Sequence, residues 1–192
     1  MSMIGKAKGC FIAFVLGTLA LLFSCSNNIE NRYAHERAFL RFSPVTGVVP
    51  LNNAVNGLGE FCTIRIGTNQ FIFRSAGGQE VTYPITAEIK AYGQPECVVG
   101  FVVGKSTIPD MKLQYPLLAY DLVCPNCYEQ SLITKALTLE TDEKLTCSRC
   151  HRSYNLKDDG NICQGDAGKP LYRYRTISYN PNINGGTLVI IN

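Results

Sequence analysis

Two pairs of closely spaced cysteines constrain the fold of this 192-residue chain more than any other feature. Cys124 and Cys127 form the first C-x-x-C pair, and Cys147 and Cys150 form the second. A tight loop around each pair can direct two thiolates at one ion, so two loops brought together complete a tetrahedral site. In an oxidising compartment the same thiols can form disulfides instead. Both outcomes require a fold in which the two loops meet.

A histidine follows the second pair directly, so Cys147, Cys150 and His151 spell C-x-x-C-H, the attachment pattern of c-type haem. A c-type cytochrome also needs a distal ligand, yet no Met or His follows His151 in the sequence. A haem site would leave the pair at Cys124 and Cys127 without a role. The surroundings therefore disfavour haem and favour one shared four-cysteine site.

The N-terminal segment indicates export. Lys6 and Lys8 precede the apolar run FIAFVLGTLALLF, which is short for a membrane span. The run ends in LFSC, which resembles a bacterial lipobox, although Phe23 is bulkier than the usual residue there. We predict a lipoprotein signal peptide over residues 1–24, followed by cleavage and acylation of Cys25. The alternative is an N-terminal anchor that is not cleaved.

Acylation of Cys25 would hold the protein in the cell envelope, attached to a membrane through its lipid. The polar residues that follow are predicted to form a tether over residues 25–37. Ser26 favours the outer membrane under the enterobacterial sorting rule, with the protein facing the periplasm. The sequence does not identify a protein partner there.

The charge of the chain gives no support for nucleic-acid binding. Lys6 and Lys8 are lost with the signal peptide, which carries no acid, so the formal charge falls from +3 to about +1. The sequence also lacks a basic stripe and a basic tail. Partners are therefore sought in the envelope rather than among nucleic acids.

The rest of the chain has the pattern of short β-strands. In FCTIRIG, apolar and polar side chains alternate, and turn signals such as GTN and SAGGQ separate the predicted strands. Gly100 and Gly104 interrupt an apolar strand and indicate bulges or close approach of a neighbouring backbone. We predict an all-β sandwich or barrel over residues 38–192, built on the strands FCTIRIG, QFIFRS, TAEIKAY, CVVGFVVG, LYRYRTISY and GTLVIIN.

Three segments, YDLVCPNC, LTCSRCHRSYNL and GNICQGDAGKPLYRY, together resemble a Rieske domain over about the last 75 residues. Rieske motifs place C-x-H in one loop and C-x-x-H-G, then an aromatic residue, in a second loop. Cys124 and Cys147 match the two cysteines, Tyr154 matches the aromatic residue, and residues 165–172 match the proline-bearing third loop. The resemblance implies a Rieske-like antiparallel β base with a small cysteine-loop subdomain at about residues 120–160.

The histidine ligands of a Rieske cluster are missing. Asn126 stands at the first histidine position, Cys150 at the second, and His151 at the glycine position. These departures exclude the usual cluster with two histidine ligands, while Cys127 and Cys150 can replace the lost nitrogen ligands. The resemblance then implies a metal site formed by Cys124, Cys127, Cys147 and Cys150.

Three contents of this site remain open. Zinc fits four thiolates and contributes folding energy, a [2Fe–2S] cluster is chemically allowed, and the thiols can also be empty or disulfide-bonded. The N-terminal segment lacks the twin arginine of folded cargo, so export as an unfolded chain favours zinc over a cluster. His151 and Tyr154 are possible second-shell residues, and Cys62, Cys97 and Cys163 have no assigned role.

No catalytic motif is visible. The sequence lacks GxSxG, HExxH and a phosphate-binding glycine loop, and it contains only two histidines. Asp158–Gly160 is predicted to be a tight turn and Asp142–Lys144 a solvated loop. A thiol–disulfide role lacks a visible helix start beside either pair. The sequence favours non-catalytic binding or scaffolding, with electron transfer through a [2Fe–2S] cluster as the alternative.

Overall fold

The computed structural model describes residues 33–178 and 185–192. The predicted signal peptide over residues 1–24, the acylation site Cys25 and most of the predicted tether lie outside these residues. Within the described ranges, no helix has both the length and the apolar character needed to cross a bilayer.

The described chain is mostly β-structure, as the sequence predicts. The alternating segments form twelve strands within the described residues, and three short helices connect them. In chain order the strands are β1 (Phe39–Phe42), β2 (Phe61–Ile66), β3 (Gln70–Ser75), β4 (Glu80–Pro84), β5 (Gly100–Lys105), β6 (Leu117–Asp121), β7 (Thr138–Leu139), β8 (Lys144–Thr146), β9 (Ser153–Asn155), β10 (Asn161–Gln164), β11 (Arg173–Ser178) and β12 (Leu188–Ile191).

Eight of these strands form one antiparallel sheet in the order β1-β12-β11-β6-β5-β2-β3-β4, which curls into half a barrel. Its apolar cluster is rich in aromatic rings, and Phe42 from β1 contacts both Phe71 and Phe73 from β3. Helix α1 (Val49–Asn56) adds Leu51 and Val55 to the same cluster. In β2, Cys62 and Ile64 belong to this cluster, but Phe61 and Thr63 on the opposite face are buried as well, so the alternating pattern predicts one buried face and misses the second.

The segment TAEIKAY, predicted to be a strand, instead contains the helix α2 (Ala87–Ala91). Thr86 caps this helix, because its hydroxyl oxygen accepts a hydrogen bond from the Ile89 N–H at 3.3 Å. Glu88 lies in the first turn and Lys90 in the last, where both charges suit the helix dipole. The strand prediction is wrong here because this capping outweighs a weak apolar alternation.

Two glycines of β5 are required by close contact with β2, as the sequence predicts. A Cβ on Gly104 would lie 2.2 Å from the Glu60 carbonyl oxygen. A Cβ on Gly100 would lie 2.7 Å from the Ile64 carbonyl oxygen. Any side chain at either position would push β2 and β5 apart.

A smaller sheet, in the order β10-β9-β8-β7, lies between β6 and β11 along the chain. The chain leaves the large sheet at Asp121 and returns beside it, where Arg173 pairs with Tyr120. Three of the four paired cysteines belong to the apolar cluster under this smaller sheet. The topology thus places both cysteine loops beside the end of β6.

Candidate metal centre

The first cysteine pair lies at the start of a helix. Cys124 is the N-cap of α3 (Pro125–Ser131), and Cys127 lies in its first turn. Pro125 occupies the first helical position, where its fixed φ suits the helix and a missing N–H costs nothing. The prediction that neither pair lies beside a helix start is wrong, because Pro125 begins a helix directly after Cys124.

The second pair lies in a closed turn after β8. The Cys147 N–H donates to the Arg152 carbonyl at 2.9 Å, and the His151 N–H donates to the Cys147 carbonyl at 2.9 Å. His151 has a φ of 57°, a left-handed conformation that reverses the chain after Cys150. The turn directs both sulfurs of the pair toward the first loop.

The four sulfurs converge. All of them lie within 4.8 Å of one another, with 3.6 Å between the Sγ atoms of Cys124 and Cys150 and 3.8 Å between those of Cys127 and Cys147. A tetrahedral ion with bonds of about 2.3 Å to sulfur separates its ligands by about 3.8 Å. The four side chains can therefore hold a metal ion, as their spacing in the sequence predicts.

The pKa values of the cysteines indicate how a bound cation would affect the site. Burial raises the pKa of Cys124 and, more strongly, that of Cys127. Burial acts to raise the pKa of Cys150, but hydrogen bonds from the backbone N–H and guanidinium of Arg152, together with those from Cys147 and Cys124, outweigh it and lower this pKa to about 6. Several buried thiolates without a cation would repel one another, so a bound cation would replace protons here.

Polar side chains brace the first loop. The Tyr154 hydroxyl lies 3.2 Å from the Cys124 Sγ, and the Asn126 amide nitrogen donates to that hydroxyl at 3.0 Å. Burial, followed by the contact with Cys124, raises the pKa of Tyr154, so the hydroxyl keeps its proton and is able to donate to a Cys124 thiolate. Such contacts orient ligands and tune a metal site.

The segment 165–170 is fastened to both cysteine loops. The Asn126 Oδ1 accepts from the Lys169 N–H at 2.9 Å, and its Nδ2 donates to the Lys169 carbonyl at 3.0 Å. The Arg152 Nε donates to the Asp166 carbonyl at 2.9 Å. Gly168 is packed so closely that a Cβ would lie 2.2 Å from the Asn126 Oδ1. Asn126 thus acts as a clamp on this segment, a role that its sequence position did not reveal.

His151 and the three remaining cysteines of the described chain take no part in the sulfur cluster. The His151 side chain is exposed, and within the described residues its recorded contact with the second pair is the backbone hydrogen bond to Cys147. Cys62, Cys97 and Cys163 are free thiols outside the cluster. Burial raises the pKa of Cys62 and Cys97 to about 12, so both remain protonated thiols.

The loop Asp142–Lys144, predicted to be solvated, contains one buried residue. Glu143 is buried, and its Oε1 lies 3.0 Å from the Lys157 Nζ and accepts from the Thr107 hydroxyl at 3.4 Å. The contact with Thr107 ties the small sheet to the loop after β5. This part of the prediction is wrong because a charged tripeptide carries no signal of the long-range contact that buries it.

No family model, curated protein or solved structure matches this chain. The function is therefore inferred from the chemistry of the four-cysteine site. One metal ion held by all four cysteines would have a complete tetrahedron, with no position left for a substrate or water.

Proposed function

We propose that this protein is a lipid-anchored cell-envelope protein of Rieske-like fold, in which Cys124, Cys127, Cys147 and Cys150 hold one structural zinc ion. Its role is binding or scaffolding rather than catalysis. The observation that supports this best is the compact arrangement of the four sulfurs, all within 4.8 Å of one another.

The compactness favours one ion over a binuclear cluster. In a [2Fe–2S] cluster each iron takes two protein ligands, so the two ligand pairs must stand further apart than the edge of one tetrahedron. Here all four sulfurs lie within 4.8 Å of one another, so no two pairs stand apart as the ligands of two separate irons would. Electron transfer through a [2Fe–2S] cluster is therefore the less favoured function.

The Rieske-like assignment is supported by order and position. Two cysteine loops follow β6 and β8, and the segment 165–170 packs against the first of them through Asn126. The small sheet lies between two strands that pair in the large sheet. This is the arrangement that the resemblance implies, with thiolates in place of the two histidines.

Export of an unfolded chain further favours zinc. A chain that crosses a membrane unfolded acquires its metal afterwards, and zinc binds directly to thiolates without assembly machinery. The purified full chain is expected to contain about one zinc ion and to lack absorbance between about 400 and 600 nm. Elemental analysis and an absorption spectrum test this. A brown protein that contains iron, or a metal-free protein with oxidised thiols, would contradict the proposal.

The lipid anchor has a test of its own. Cys25 follows an apolar run and precedes a polar segment, so cells grown with a fatty-acid analogue should label the wild-type chain through this cysteine. Cys25→Ala should lose the label, whereas Cys163→Ala should keep it. Equal labelling of the wild type and Cys25→Ala would rule out acylation at this position.

A further inference from the structure

Exposed apolar side chains are concentrated at the loop that joins β5 to β6. We call residues 106–116 the β5–β6 tip. Ile108, Met111, Leu113 and Tyr115 lie within it, and all four are exposed, Met111 completely and Leu113 by 82%. Leu58 is exposed as well, next to Gly59, whose N–H donates to the Lys105 carbonyl at the base of the tip. Single exposed apolar residues are ordinary, but a cluster of this kind marks a contact surface.

The β5–β6 tip is held in one shape by its own hydrogen bonds. The Asp110 Oδ1 accepts from the N–H groups of Lys112 at 2.8 Å and Gln114 at 2.9 Å. The backbone N–H of Asp110 donates to the Gln114 carbonyl at 2.7 Å. Leu113 has a φ of 58°, which turns the chain between these bonds. The apolar side chains are thus presented outward on a shaped turn, so little entropy is lost when they are buried.

We propose that the β5–β6 tip inserts into the interface of a bilayer that contains anionic lipid. Met111 and Leu113 would enter the acyl boundary, and Tyr115 would lie at the headgroup level, where amphipathic aromatic side chains are favoured. Burial of such side chains to a depth of about 5–10 Å is typical of proteins that lie on a membrane surface.

The positive charges of the β5–β6 tip are complementary to a bilayer that contains anionic lipid. Lys105 and Lys112 flank the apolar residues, and neither has an ion pair recorded with a described residue. Asp110 is the one acid in the sequence between these lysines, and its Oδ1 is already occupied by backbone N–H groups. Lysine stems can extend along apolar surface while their ammonium groups reach lipid phosphates. The inference does not depend on what the cysteine site holds.

A single tryptophan can report on the tip, because the chain contains none. The full chain carrying Leu113→Trp would be reconstituted in vesicles of phosphatidylcholine and phosphatidylglycerol. Its emission should shift to the blue, and brominated lipid should remove about half of it, because the side chain lies among the lipids. Tyr115→Trp gives the same readout through a conservative change if Leu113→Trp folds poorly.

Leu132→Trp provides a matched control. Leu132 is 75% exposed and has a φ of 51°, close to the values of Leu113, but it ends helix α3 beside the cysteine site. The N-terminal segment is the same in both variants, so a difference between them reports on the tip alone. Quenching of Leu113→Trp and Tyr115→Trp no stronger than that of Leu132→Trp would overturn the proposal. Equal quenching in phosphatidylcholine alone would overturn the role assigned to the lysines.

Discussion

Replacing Cys147 with serine should abolish binding of the proposed zinc ion and lower the free energy of unfolding by about 4 kcal/mol or more. Cys147 is buried, and its Sγ lies 3.8 Å from that of Cys127, so the variant loses one ligand of a shared tetrahedron. The free energy of metal binding is also folding free energy, because the unfolded chain holds no preformed site. Denaturant unfolding with and without added zinc, together with metal analysis, measures both effects.

Cys163→Ser is the matched control for this variant. Cys163 is an exposed free thiol outside the sulfur cluster, so the change should alter the free energy of unfolding by less than about 0.5 kcal/mol. His151→Ala should also retain the metal, because its recorded contact with the second pair is made by the backbone. If Cys147→Ser keeps the metal content and unfolding midpoint of Cys163→Ser, the cysteines do not form a structural site. Loss of metal in His151→Ala would instead assign a ligand role to the imidazole.

Local patterns in the sequence explain which parts of the fold could be predicted. Apolar alternation identifies β3, which buries one face at Phe71 and Phe73, and the spacing within each C-x-x-C pair encodes a tight loop. The approach of β5 to β2 leaves its mark at Gly100 and Gly104, because only glycine fits there. In each case a short stretch of sequence contains the whole physical cause.

The missed features depend on contacts between distant residues. Glu143 is buried by its contacts with Lys157 and Thr107, which lie 14 and 36 residues away in sequence. Asn126 clamps Lys169 from a position 43 residues away. The resemblance to a Rieske motif predicts only a lost ligand at Asn126, whereas this side chain connects two loops. The Rieske-like identity and the acylation of Cys25 stay predictions.

Replacement of Asp121 should lower the stability of the fold, because this residue is an acid buried inside it. It is fully buried at the end of β6, and its carboxylate accepts hydrogen bonds from the N–H groups of Val98 at 2.9 Å, Val99 at 3.2 Å and Val123 at 2.8 Å. The Tyr174 hydroxyl donates to the same carboxylate at 3.1 Å. Asparagine has nearly the same shape but offers one acceptor oxygen and brings an NH₂ group toward these donors. We expect Asp121→Asn to lower the free energy of unfolding by about 2–4 kcal/mol.

The same variant should loosen the metal site, because Val123 precedes Cys124 and loses a hydrogen bond that fixes the first cysteine loop. A chelator should therefore remove the metal faster from Asp121→Asn than from the wild type. Asp158→Asn serves as the control, since Asp158 is exposed and no hydrogen bond of its carboxylate is recorded with the described residues. Stopped-flow release with a chromogenic chelator and denaturant unfolding measure the two effects.

Equal stability of the two variants would show that the Asp121 hydrogen bonds do not support the fold. Reduced stability with unchanged metal release would show that Asp121 stabilises the large sheet without supporting the cysteine loop.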